Sequence, residues 1–100
     1  MYIAMNRFKI ILGKEREFEA VWKNRDSHLK NVEGFVQFNL LKSQTCPEYT
    51  LYASHTIWES SEYFLSWTKS EAFRQAHKNS GAVKGVYIGH PEFEGFETIM

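Results

Sequence analysis

The stretch YIAMNRFKII, Tyr2 to Ile11, alternates along its whole length. Successive side chains of a strand point to opposite faces, so Tyr2, Ala4, Asn6, Phe8 and Ile10 share one face and Ile3, Met5, Arg7, Lys9 and Ile11 the other. The pattern predicts a strand whose first set of residues faces inward, apolar except for Asn6. Gly13 ends it. From Lys14 to Arg25, Phe18, Val21 and Trp22 recur at helical spacing with charges around the remaining circumference, which predicts a helix.

Further along, Gly34 opens a second extended segment, Phe35 to Lys42, and the polar stretch around Ser43, Gln44 and Pro47 separates it from a third, Tyr49 to Trp58. The two form a hairpin by this reading. Ser60 or Ser61 can cap a following helix with Glu62 in its first turn, and Ser70 with Glu71 repeats the signal for a helix running to about Lys78. The stretch NSGAVKGVYIGHP, 79–91, holds three Gly and one Pro without a clear period and predicts a long loop. Phe93 to Met100 then supplies a final strand. Strand, helix, strand, strand, helix pair, strand is the order of an α+β, ferredoxin-like split βαβ domain, an antiparallel sheet with helices on one face. Its other face, carrying Ile3, Met5 and Ile11, is left bare, and dimerisation through the sheet would cover it.

One hundred residues suffice for one domain, 1–100, with one core, burying roughly 60–70% of the unfolded surface. Aromatic residues make up 16% of the chain, more than such a core requires, so some should line a pocket or an interface. Twelve basic and twelve acidic residues cancel, and no basic stripe interleaves with aromatics, which argues against a nucleic-acid partner. Cys46 is the sole cysteine, so it forms no intrachain disulfide and belongs to no zinc-type cluster. The beginning of the chain reads as a strand rather than a leader, and no apolar run approaches membrane-spanning length. Together these features predict a soluble cytoplasmic protein.

Three residues invite a functional reading. Asn6 lies among apolar residues on the inner face; it is either a core amide satisfied by backbone or a pocket amide presented to a ligand. His77 lies near the end of the SEAFRQAHK segment with Phe73 one turn earlier and Ala76 just before it, either as a structural histidine or as an iron ligand. Trp67 closes the preceding helix after Phe64 and Leu65, where core packing is the default role. His28, His55 and His90 are read as surface or structural residues whose spacing suggests no metal cluster. Phe8, Trp22, Phe64 and Phe73 are core residues by period, and could equally flank a flat ligand.

The segment IWESSEYFLSWTKSEAFRQAH resembles the helical part of the IsdG-type heme-degrading monooxygenases, within the antibiotic biosynthesis monooxygenase superfamily. Asn6 in the first strand, the EGF turn at Glu33 to Phe35, Trp58 at a strand end, Trp67 and the pair Ala76–His77 carry the resemblance from Ala4 to His77. It implies a dimeric ferredoxin-like fold and a catalytic triad of Asn6, Trp67 and His77. By that likeness His77 would ligate the heme iron and leave the opposite axial position open to dioxygen. Asn6 would offer an amide hydrogen bond on that open side, and Trp67 would press the porphyrin out of plane. Heme would be substrate and cofactor together, with electrons from an external donor, an unidentified reductase. Phe73, Phe64, Phe8 and Trp22 would flank the macrocycle. Two alternatives remain at this stage: a cofactor-free oxygenase of a polycyclic phenol or quinol, and a non-enzymatic heme-binding protein.

Overall fold

The structure is a computed structural model that describes residues 1–24, 29–71, 73–74 and 85–100. Four strands, β1 (Tyr2–Ile10), β2 (Phe35–Thr45), β3 (Thr50–Trp58) and β4 (Glu92–Glu97), form one antiparallel sheet in the order β2-β3-β1-β4. Helix α1 (Glu15–Asn24) follows β1 and helix α2 (Ser61–Thr68) follows β3. This is the ferredoxin-like arrangement expected from the order of elements. The strand read first in the sequence lies between β3 and β4, with a hydrogen-bonded neighbour on each side.

Local chemistry accounts for the elements. Glu15 and Glu17 in the first turn of α1 and Lys23 in the last complement the helix dipole, while the Glu15 carboxylate accepts the Gly13 N–H at 2.9 Å. At the start of α2 Ser60 occupies the cap position in extended geometry, yet its hydroxyl makes no cap hydrogen bond. Ser70 does act as a cap: its hydroxyl accepts the Phe73 N–H at 3.2 Å and donates to the Trp67 carbonyl at 2.6 Å. The expected second helix thus begins where Ser70 and Glu71 place it; most of its length, His77 included, lies outside the described residues.

Two features go beyond the sequence reading. Phe35 and Phe38 both pack into the core, although a spacing of three places residues of a regular strand on opposite faces. A register shift between Phe35 and Gln37 resolves the conflict, since the extra residue of a bulge restores the facing. In the stretch read as loop, Val86 is fully buried, Tyr87 bridges Ile10, the Ile11 N–H donates to the Val86 carbonyl and the Ile88 N–H to the Lys9 carbonyl. That portion extends the sheet edge beyond the end of β4. Gly34 turns with φ +84°, and a Cβ there would run into the Tyr63 ring of α2, so the EGF turn needs glycine for conformation and for space.

On the helix-facing side of the sheet the most buried residues form two clusters, joined where Trp22, packed on the first, stacks on Phe38, packed on the second. The first, beneath α1, consists of Phe8, Ile10, Phe18, Tyr52 and Val86. The second, beneath α2, consists of Ala4, Leu29, Trp58 and Trp67, edged by partly buried rings.

Candidate functional site

Asn6 sits between the two clusters. On β1 its inward neighbours are Ala4, which belongs to the second core, and Phe8, which belongs to the first. Cross-strand partners share a face, so the row through Asn6 runs from Phe93 on β4 through Asn6 to Ser54 on β3 and Leu40 on β2. The adjacent row, Gly95, Ala4, Thr56 and Phe38, holds one polar side chain, and it is satisfied: the Thr56 hydroxyl donates to the Ala4 carbonyl at 3.3 Å and accepts the Trp58 indole N–H at 2.9 Å. Asn6 differs. Its Oδ1 is buried and has no hydrogen-bond partner among the described residues.

A buried amide oxygen left unpaired costs about 1–3 kcal/mol, and folded proteins seldom carry such an atom without a reason. Because a primary amide can turn about its terminal bond, the same side chain presents either its oxygen or its NH2 group to whatever lies above it. Of the two readings open in the sequence, the amide satisfied by backbone does not apply.

Trp67 is buried in the second core, in contact with Trp58 at 5.5 Å between ring centroids. Phe73 meets it edge-on at 4.8 Å and Phe64 lies at 6.3 Å. The structure therefore brings Trp67, Phe64 and Phe73 together in the cluster that also holds Ala4, two residues from Asn6 on the same face. Phe8 and Trp22 belong to the other cluster. Phe8 is buried against Phe18, and Trp22 lies between Phe8, edge-on at 5.7 Å, and Phe38, stacked at 5.7 Å and 15°. They border Asn6 from the α1 side only. His77 lies outside the described residues, as does His28. His55 is half-buried on β3 and His90 is exposed; among the described residues, no three His, Cys, Asp or Glu side chains are grouped to hold a metal ion.

Charge around the site is sparse on the sheet's inner face and concentrated at the rim of α1. Tyr52 donates a short hydrogen bond to Glu19, and burial, then that bond, raises its phenol well above the usual range. A cleft of about 380 Å3 opens between α1 and the β2–β3 edge, walled by Trp22, Phe38, Leu40 and Tyr52 with Lys23 and Lys42 at its mouth. Neither Asn6 nor Trp67 lines it, although Leu40 at the β2 end of the Asn6 row does. Phe93, at the β4 end of the Asn6 row, was not singled out in the sequence: Phe93 and Phe96 are three apart and fall on opposite faces of a strand, so no local pattern in EFEGFE marks the inward one, which pairing with Asn6 decides.

Comparison with known proteins identifies the family. The model of the antibiotic biosynthesis monooxygenase family matches residues 1–79, and the chain belongs to that family. It is 30% identical over 83 residues to a heme-degrading monooxygenase of Bacillus mycoides, covering 83% of this chain and 77% of the relative. Among solved structures it is similar to the heme-degrader MhuD from Mycobacterium tuberculosis with two hemes bound in its active site. That likeness has a TM-score of 0.76 at 26% identity and covers 100% of this chain and 97% of MhuD. SnoaB, a cofactor-independent oxygenase from Streptomyces nogalater, shares the fold with a TM-score of 0.72 at 20% identity, covering 99% and 93%. The IsdG-type resemblance read from Asn6, Trp67 and the AH pair is thus matched by relatives of the same kind. Among the described residues no helix is long and apolar enough to cross a membrane.

Proposed function

We propose that this chain is a heme-degrading monooxygenase that takes heme against Asn6, between Ala4 of one buried cluster and Phe8 of the other, opens the porphyrin ring to a linear tetrapyrrole and releases the iron. The unpartnered Asn6 amide carries this reading. A porphyrin supplies both things the site lacks: a flat apolar body to lie against the Trp67–Phe64–Phe73 cluster, and polar chemistry at its centre for an amide to meet. Bound heme would supply an iron able to activate dioxygen once an external donor has reduced it.

The chain's own residues divide the remaining work. Asn6 directs its amide at the reacting side and favours charge developing there, which a fixed donor does at no cost in reorganisation. Trp67 is held by Trp58 from behind, so its ring resists displacement and imposes shape on the macrocycle. His77 is the proposed iron ligand, with Phe73, Phe64, Phe8 and Trp22 flanking the ring. The proposal extends to the whole chain as one domain, 1–100, acting in the cytoplasm with an unidentified reductase. It also includes a homodimer formed through the outer sheet face, where Ile3, Ile57 and Leu41 lie.

Hemin titration followed by ascorbate in air tests the reading. The expected result is a Soret band that forms on binding and disappears with reductant, with mass spectrometry showing a ring-opened product. His77→Ala should lose the iron ligand, and Trp67→Ala should bind hemin but turn over poorly. A Soret band that persists under reductant contradicts catalysis. Failure to bind hemin at micromolar concentration would favour a cofactor-independent oxygenase.

A further inference from the structure

Phe93 is 54% exposed, although it lies on the sheet face that carries the helices. Its Cα partner across the ladder is Asn6, so both side chains leave the sheet on the same side, one strand apart. Its ring is not loose: it stacks on Phe64 with centroids 5.5 Å apart and planes within 2°. Phe64 in turn contacts Tyr2 at 5.6 Å, Trp58 at 5.8 Å and Trp67 at 6.3 Å, so the stack is anchored in the second core. Further along β4, Tyr2 lies across Gly95, where a Cβ would collide with it. The inward side of β4 is therefore covered at Gly95 and open at Phe93.

Parallel stacking on Phe64 covers one side of the Phe93 ring and leaves more than half of the residue to solvent, an arrangement unfavourable for an aromatic side chain unless something lies against it. The unpartnered amide of Asn6 is its immediate neighbour. One flat ligand with an apolar rim and a polar centre would satisfy both at once.

We infer that Phe93 is a contact residue for the tetrapyrrole, the β4 end of an aromatic wall running Trp67–Phe64–Phe93 beside Asn6. This rests on the heme reading of the site. The family model matches residues 1–79, so Phe93 lies beyond the matched part and its assignment comes from this chain's own geometry. The contact is with the ring system and not with the iron, which sets it apart from the role proposed for His77.

The wild-type chain, Phe93→Ala and Phe93→Tyr are each titrated with hemin and with metal-free protoporphyrin IX, and the thermal midpoint of each ligand-free protein is recorded. Phe93→Ala should weaken both porphyrins about tenfold, the change that stacking and burial worth roughly 1.4 kcal/mol produces. Phe93→Tyr, which keeps the ring, should bind both within about twofold of wild type, and the ligand-free midpoints should stay close together because the ring is half exposed. If the wild type binds both porphyrins and Phe93→Ala matches it, the assignment of Phe93 is wrong while the heme reading stands. If the wild type binds neither, the heme reading fails and Phe93 falls with it.

Discussion

The two cores on the helix-facing side of the sheet are built differently. Beneath α1, Ile10, Phe18, Tyr52 and Val86 are almost without exposure, and the polar groups at their margin are paired. Thr50 donates to Glu15 at 2.8 Å and holds its carboxyl below the usual range, while Tyr52 donates to Glu19. Beneath α2 the core is mostly rings, several of them partly open, and it borders the buried Asn6 Oδ1, which has no hydrogen-bond partner among the described residues. Cores closed on themselves stabilise; cores left incomplete are where ligands act. The contrast is what the proposed function rests on: the α1 side holds the fold, and the α2 side is where the proposed ligand would lie.

The largest effect is expected from opening the closed side. Phe18→Ala removes a fully buried ring that contacts Phe8, Tyr52 and Tyr87, and should cost about 3–5 kcal/mol of unfolding free energy in urea titrations. A loss under about 1 kcal/mol would mean that the first core is not what holds the sheet to α1. Next comes Gly34→Ala, at the junction of β2 with α2. The left-handed backbone and the Tyr63 ring together predict about 2 kcal/mol of destabilisation, visible as a lower urea midpoint with little change in slope.

A smaller effect, of about 1 kcal/mol at neutral pH, is expected for Tyr52→Phe, which removes the hydroxyl bonded to Glu19. Its pH dependence has a definite sign. The folded phenol titrates above its unfolded value, so its contribution is complete below pH about 10 and is lost as pH rises through the folded value. The stability gap between wild type and Tyr52→Phe should therefore narrow in alkaline buffers, and a gap that widened would reverse the assigned cause.

Much of this was legible in the sequence, for identifiable reasons. Tyr2–Ile11 alternates strictly, so the inward placement of Asn6 followed from the period alone, and Phe18 with Trp22 marked the buried side of α1. Other features depend on partners distant in sequence. The shift at Val36 that puts both Phe35 and Phe38 inside is set by pairing with Trp58 and Thr56, which no local pattern in FVQF reveals. Val86 and Ile88 lie in a glycine-rich stretch without a period, and they are placed by backbone bonds to Ile11 and Lys9 across the sheet. Trp67 shows the reverse case, because helical spacing explains its burial fully and only the family resemblance lends it a second role. That Asn6 lies between the two buried clusters with Ser54 and Phe93 beside it could be read only from the strand pairing.

The central claim is that Asn6 serves a ligand at the expense of the fold. Replacing it by leucine removes the unpaired polar atom and puts apolar volume between the two buried clusters. The most direct test measures the ligand-free thermal midpoint of Asn6→Leu together with its rate of Soret loss under ascorbate in air. The account predicts a midpoint equal to or above wild type and a rate reduced at least tenfold. A midpoint several degrees lower with an unchanged rate would contradict it, making Asn6 a structural residue of an ordinary core.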